Sequence, residues 1–178
     1  MWSIFKRRRQ AKAHVEALYS SIVDAARQPV FYRDMGVPDT AEGRFEIIAL
    51  HVILAVDRLN GQGEAGKAVG QNLFEHFFKD MDYAMREMGI GDTSIGKKVR
   101  AMAEVFFGRF KAYLEARDAD ESDALSAMMA RNIFETEADR NSDRLAAYCR
   151  ASEQHLSGRD LLAPVAPDSQ LFPAADGS

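Results

Sequence analysis

The residues of this chain that could do chemistry are four histidines, a single cysteine and two aspartates one residue apart. Their spacing decides what that chemistry would be. A di-iron carboxylate bundle requires Glu-x-x-His, which puts both ligands on one helix face a turn apart. No glutamate here has a histidine three residues later, and His-Glu-x-x-His and Cys-x-x-Cys-His are absent too. Glu75 and His76 are adjacent, about 100° apart on a helix, which is poor geometry for joint ligation. The glycines of GIGDTSIG (89–96) lack the Lys-Ser/Thr ending of a phosphate loop, so the segment reads as a turn. There is no Gly-x-Ser-x-Gly elbow. Cys149, with Arg150 as its nearest cation, reads as a structural thiol. No metal, cofactor or catalytic residue is expected.

The charged residues divide by helix face. Glu75–Lys79 and Asp82–Arg86 are four apart, an exposed ion ladder worth about 0.2–0.5 kcal/mol per pair. Asp80 borders the apolar face with His76, Tyr83 and Glu87. That placement suits either the polar rim of a groove or a packing role. Arg44 and His51 stand on a very apolar helix beside Phe45 and Leu50. A lone histidine there is expected as a hydrogen-bonded core residue, and Arg44 is expected to pair with a carboxylate of a neighbouring helix, Asp80 or Glu87 being candidates. Met81, Met85, Met88, Met102, Met128 and Met129 accompany Phe74, Phe77, Phe78, Phe106, Phe107 and Phe110. Soft Met with Phe suits a groove for variable apolar segments and equally suits a core. Both hold if one seam of the bundle stays open.

These residues must be positioned by helices, because apolar positions recur throughout at helical spacing and no alternating strand pattern appears. Helices are expected from Ala11 to just before Pro29, from about Asp39 to Leu59 behind a capping-box-like start, and from about Ala65 to Met88. Gly89 occupies the place of a left-handed C-cap. A helix N-capped by Asp92 or Thr93 carries Ile95, Val99, Met102, Phe106 and Phe110; Val105 and Phe107 widen its stripe, so it is expected to be central. Gly108, on its opposite side, is expected to admit a neighbouring backbone. Residues 29–40 read as a loop, 122–135 as a helix and 141–156 as a weaker helix. The fold class is all-α, a single irregular bundle of about five to six helices with a Pro-rich C-terminal tail over 157–178.

The 178 residues carry a formal net charge of −4, with five cations and no acid among residues 1–12, so the remainder carries −9. An acidic body repels phosphate backbones, which argues against DNA and general nucleic-acid binding. The head, Trp2, Ile4, Phe5, Lys6, Arg7, Arg8 and Arg9, combines apolar and cationic side chains. It suits contact with an anionic membrane surface, or simply a solubilising terminus. One cysteine and no apolar run long enough to span a bilayer make a reducing, cytoplasmic setting the expectation, with peripheral contact at the inner membrane face. The chain divides into a head (1–12), a helical domain (13–156) and a tail (157–178).

Particular strings add to this. Residues 18–59 and 73–113 contain Phe31-Tyr32, Gly36-Val37-Pro38-Asp39-Thr40, Gly43-Arg44-Phe45-Glu46, Asp80-Met81-Asp82, Arg86-Glu87-Met88-Gly89, Gly91-Asp92, Lys97-Lys98 and Gly108-Arg109. Arg131-Asn132 follows. In these ordered motifs the chain resembles the ubiquinol–cytochrome c chaperone family. The resemblance implies an all-α, non-enzymatic assembly factor for respiratory complex III that holds newly made cytochrome b. It further implies a small partner chaperone and a place near the ribosome as partners. The long presequence of mitochondrial relatives has no counterpart here, which suggests a bacterial-type member. Arg44, His51, His76, Asp80, Met81, Asp82, Arg86, Glu87, Met88, Gly89, Asp92, Lys97, Lys98 and Arg109 are the candidate interaction residues. Two alternatives remain open: a small-ligand (isoprenoid or lipid) binder or enzyme with His76, Asp80 and Glu87 at the mouth of an apolar seam, and a membrane-face scaffold without a client.

Overall fold

The computed structural model describes residues 2–137, 140–166 and 170–175, without the side chains of residues 2–4, 92 and 93. Among the described residues the chain is all helix and irregular connection: α1 (Trp2–Ala26), α2 (Pro29–Arg33), α3 (Ala41–Asn60), α4 (Gly63–Glu87), α5 (Asp92–Arg117), α6 (Ala124–Ile133) and α7 (Arg140–Ser157).

α1 buries Val15, Leu18, Tyr19, Ile22, Ala25 and Ala26 along one stripe. Its final turn is closed by the Tyr32 hydroxyl, which donates to the Ala26 carbonyl at 2.9 Å and satisfies an otherwise orphan acceptor. The segment expected to be all loop opens with α2. Pro29 sits in its first turn, where its fixed φ suits a helix start and its missing N–H costs nothing. Phe31, Met35 and Val37 are buried under this connection. Thr40, rather than Asp39, caps α3, its hydroxyl accepting from the Gly43 amide at 3.1 Å. Gly43 has no substitute here: a Cβ would lie 1.9 Å from the Pro38 carbonyl oxygen.

The central helix is α3, not the helix expected for that place. The run IIALHVILAV (47–56) is buried throughout, whereas α5 shows Lys97, Lys98, Glu104, Lys111 and Glu115 to solvent. A helix apolar all round must lie inside; one with a broad but incomplete stripe covers it. Gly108 faces open space, so no backbone approaches it. α7, weak by pattern, is well covered, with Leu145, Ala146, Tyr148, Cys149, Ser152 and Leu156 all buried.

The described parts of the tail are irregular but packed. Leu161, Leu171 and Phe172 are buried. Arg58 donates twice to the Arg159 carbonyl, at 3.1 and 2.7 Å, and Gln62 bonds both Asp160 and the Leu161 amide. Tail residues 167–169 and 176–178 lie outside the described residues.

The hydrogen bonds also fix helix directions. His14 and Gln62 both bond Leu161, while Tyr19 reaches Asp80, so α1 advances along α4 from its start toward its end. The part of α1 before His14 therefore leaves the bundle beside the α3–α4 turn. The α4–α5 turn lies at the opposite end.

Candidate functional site

Most of the motif residues fall on the hairpin of α4 and α5. Its base is part of the core. Phe77 stacks on Phe45 of α3 at 5.7 Å, Phe74 lies 5.3 Å from Phe106 and 4.9 Å from Phe107, and Phe78 lies 5.8 Å from Phe106. Ring spacings of this size fill the seam between the two helices, which the sequence left open as a groove. The methionines follow the rings. Met85, Met128 and Met129 are buried, Met81 and Met102 pack against the core, and only Met88 of the six is exposed.

Beyond the rings the hairpin projects. Its tip buries Met85 and Ile95, and neither belongs to the contiguous core. The turn is a Schellman closure: the Ile90 amide donates to the Met85 carbonyl at 3.2 Å and the Gly89 amide to Arg86 at 2.9 Å. That closure puts Gly89 at φ 79°, the left-handed conformation the sequence assigned to it. Large apolar side chains stay in water along the hairpin: Tyr83 is 62% exposed, Met88 68%, Val105 43% and Phe107 54%. Lys97, Lys98 and Glu87 are exposed around them. The Arg86 guanidinium donates to Asp82 at 2.8 Å, one rung of the expected ladder, while Glu75 accepts instead from Gln71 at 3.0 Å. The Asp92 side chain lies outside the described residues, as do those of Trp2 and Ile4.

His76 and Asp80 turn toward α1 rather than toward a seam mouth. The Tyr19 hydroxyl donates to Asp80 at 2.7 Å, and the His76 ring meets the Tyr19 ring edge-on at 4.8 Å. Burial, and then this bond to Asp80, hold the Tyr19 phenol protonated well above its ordinary range. Glu87, exposed near the hairpin tip, does not join them. Arg44 pairs with neither Asp80 nor Glu87. It donates to Asp39 at 2.7 Å and lies over the Tyr32 ring at 5.5 Å, because α2 and the loop before α3 bring these two to the first turn of that helix. His51 is interior, with no exposed surface. One ring nitrogen faces the Ile47 carbonyl at 2.8 Å and the other the Tyr148 hydroxyl at 2.7 Å, with Phe31 and Phe172 edge-on at 5.5 and 4.7 Å. Burial lowers its pKa to about 4, so it is neutral at pH 7.

Arg109 joins three motifs. It donates to both Glu46 carboxylate oxygens at 3.1 Å, to the Asn132 side-chain oxygen at 2.6 Å and to the Asn132 carbonyl at 3.0 Å. α3, α5 and α6 are thereby clasped at one point, over a void of about 10 Å³ lined by Ala49, Leu50, Ile53 and Met129. A second clasp escaped the sequence reading. Arg117 binds Asp57 and lies 3.9 Å from Glu153, which accepts from the Tyr113 hydroxyl at 2.7 Å. An open polar cleft of about 350 Å³ lies beside it, lined by Asp120, Glu121, Ser122 and Arg150. Burial pushes the Cys149 thiol up, in keeping with a structural role. Among the described residues no group of His, Cys, Asp and Glu could hold a metal ion, and no helix is long and apolar enough to cross a membrane.

The exposure of Val105 and Phe107 was the main signal overlooked. Both lie roughly 80–120° from Ile95 and Phe106 on a helical wheel, outside the stripe that faces the core.

Known proteins share this arrangement. The crystal structure of the Cbp3 homologue from Brucella abortus superposes with a TM-score of 0.78 at 38% identity, covering 89% of each chain. Ubiquinol-cytochrome-c reductase complex assembly factor 1 of Xenopus laevis is 27% identical over 150 residues, 82% of this chain and 74% of that one. The Homo sapiens protein of that name is also 27% identical over 150 residues, and the match spans half of its length. Residues 33–162 match the sequence profile described as Ubiquinol-cytochrome C chaperone. With the profile reaching from the end of α2 into the packed tail, the chain belongs to the ubiquinol–cytochrome c chaperone family.

Proposed function

We propose that this protein is an assembly chaperone for the ubiquinol–cytochrome c reductase complex, and that it holds apolar segments of newly made cytochrome b on the α4–α5 hairpin. The observation that carries the reading is the exposure of Tyr83, Met88, Val105 and Phe107 on a projecting element that also holds the motif Arg86-Glu87-Met88-Gly89. Side chains of this size add about 1.5–3 kcal/mol each when buried. Met and aromatic residues adapt to varied apolar partners. The rigid part of the molecule, clasped through Arg109 and Arg117, would present them without rearranging. No reaction is assigned to the chain. The protein acts on the cytoplasmic side, peripheral to the membrane that receives its client.

A photo-crosslinking amino acid at Met88 tests this in cells of the source organism. Capture of newly made cytochrome b from Met88, and not from Lys111 near the other end of α5, is the expected result. Equal capture from both positions, or capture of other proteins only, would refute client binding at the hairpin.

A further inference from the structure

α1 is much longer than the body it packs on. Its burial begins at Val15, and every described side chain from Phe5 to Ala13 is exposed. The overhang extends about 13 Å beyond the bundle at 1.5 Å per residue. The stripe that holds Val15, Leu18 and Ile22 continues into this overhang through Arg7, Arg8 and Ala11. The row that grips the core therefore turns cationic where the core ends. Lys6, Arg9 and Lys12 project from the other sides, so positive charge surrounds the helix. Its first acid is Glu16, 3.6 Å from Lys12. Phe5, 64% exposed, stands among these cations.

We infer that this overhang docks the protein on an anionic lipid surface, with the phosphate headgroups meeting Lys6, Arg7, Arg8, Arg9 and Lys12 and the Phe5 ring entering the interface. The charge distribution supports a bilayer over other polyanions. The body carries −9 and turns away from a flat negative surface when the +5 head meets it. The exposed phenylalanine gains by entering a lipid interface, the second signal that marginal electrostatic attachment needs. The head leaves the bundle beside the α3–α4 turn and the client hairpin lies at the other end. Docking through the overhang thus leaves Tyr83 and Met88 free. This refines the peripheral location proposed above, and its failure is separable from failure of client binding.

The full-length chain is sedimented with vesicles of neutral phosphatidylcholine alone or mixed with phosphatidylglycerol, at low and high salt, and in parallel with purified ribosomes. Binding only to the anionic vesicles, weakened by salt, is expected. At roughly fivefold per cation, the charge-reversal variant K6E/R7E/R8E/R9E should lose at least about 100-fold in partitioning. Phe5→Ser should lose about tenfold. Both variants should keep the wild-type helical circular dichroism and unfolding midpoint, because the described side chains from Phe5 to Ala13 are exposed. Equal binding to neutral and anionic vesicles, no binding to either, or ribosome binding that the reversal abolishes while vesicles stay unbound would each overturn the inference.

Discussion

At the scale of single residues, the motif positions divide into those that hold the fold and those left at the surface. Arg109 belongs to the first group, since its guanidinium is shared between Glu46 and Asn132. Arg109→Ala strands a mostly buried carboxylate and should lower unfolding free energy by about 2 kcal/mol in urea titration. Arg109→Lys should recover only part, because an ammonium cannot span both partners. His51 adds a pH dependence. Its pKa is about 4 in the fold against 6.5 unfolded, so the unfolded chain binds the extra proton between those values. The contribution is full above about pH 6.5 and is lost as pH falls toward 4, reaching roughly 3 kcal/mol. His51→Gln should flatten that part of the stability profile, measured as the difference between the two proteins. A core role for His51 was legible because it interrupts an otherwise apolar run. The partner of Arg44 was not, because a loop brings Asp39 to it and helical spacing carries no loop geometry. Nor was the Arg109 clasp, whose partners are 63 and 23 residues distant in sequence.

At the scale of elements, periodicity located the six longer helices, and glycine chemistry marked the hairpin turn. What periodicity misjudged was rank. It weighed the width of the stripe on α5 above the fully buried run 47–56 of α3, which is apolar but for His51. α2 was hidden by Pro29, which begins the helix instead of preventing it. The tip of the α4–α5 hairpin makes the sharpest prediction at this scale. Tyr83→Ser with Met88→Ser removes exposed side chains, so thermal unfolding should shift by no more than the equivalent of about 0.5 kcal/mol. A large destabilisation would show that these residues pack against the protein itself.

At the scale of the molecule, the irregular tail is part of the body. Phe172 closes the aromatic socket around His51, and the Arg58, Gln62 and His14 bonds pin residues 159–161 between the middle of α1 and the end of α3. Ending the chain after Ser157 uncovers the surface beneath Leu161, Leu171 and Phe172 and should therefore lower the unfolding free energy in equilibrium urea titration. Composition could not show this, because three prolines read as a break in structure whether or not the leucines around them find a surface. The family profile continues to residue 162, consistent with a packed start to the tail.

In the proposed function the hairpin tip serves assembly of the ubiquinol–cytochrome c reductase complex. Its most direct measurement is the reduced-minus-oxidised difference spectrum of membranes from cells lacking this protein, complemented with wild type or with Y83S/M88S at equal abundance. Loss of the cytochrome b signal on deletion, recovery with wild type and little recovery with the folded double variant are expected. Unchanged cytochrome b and reductase levels in the deletion strain would contradict it.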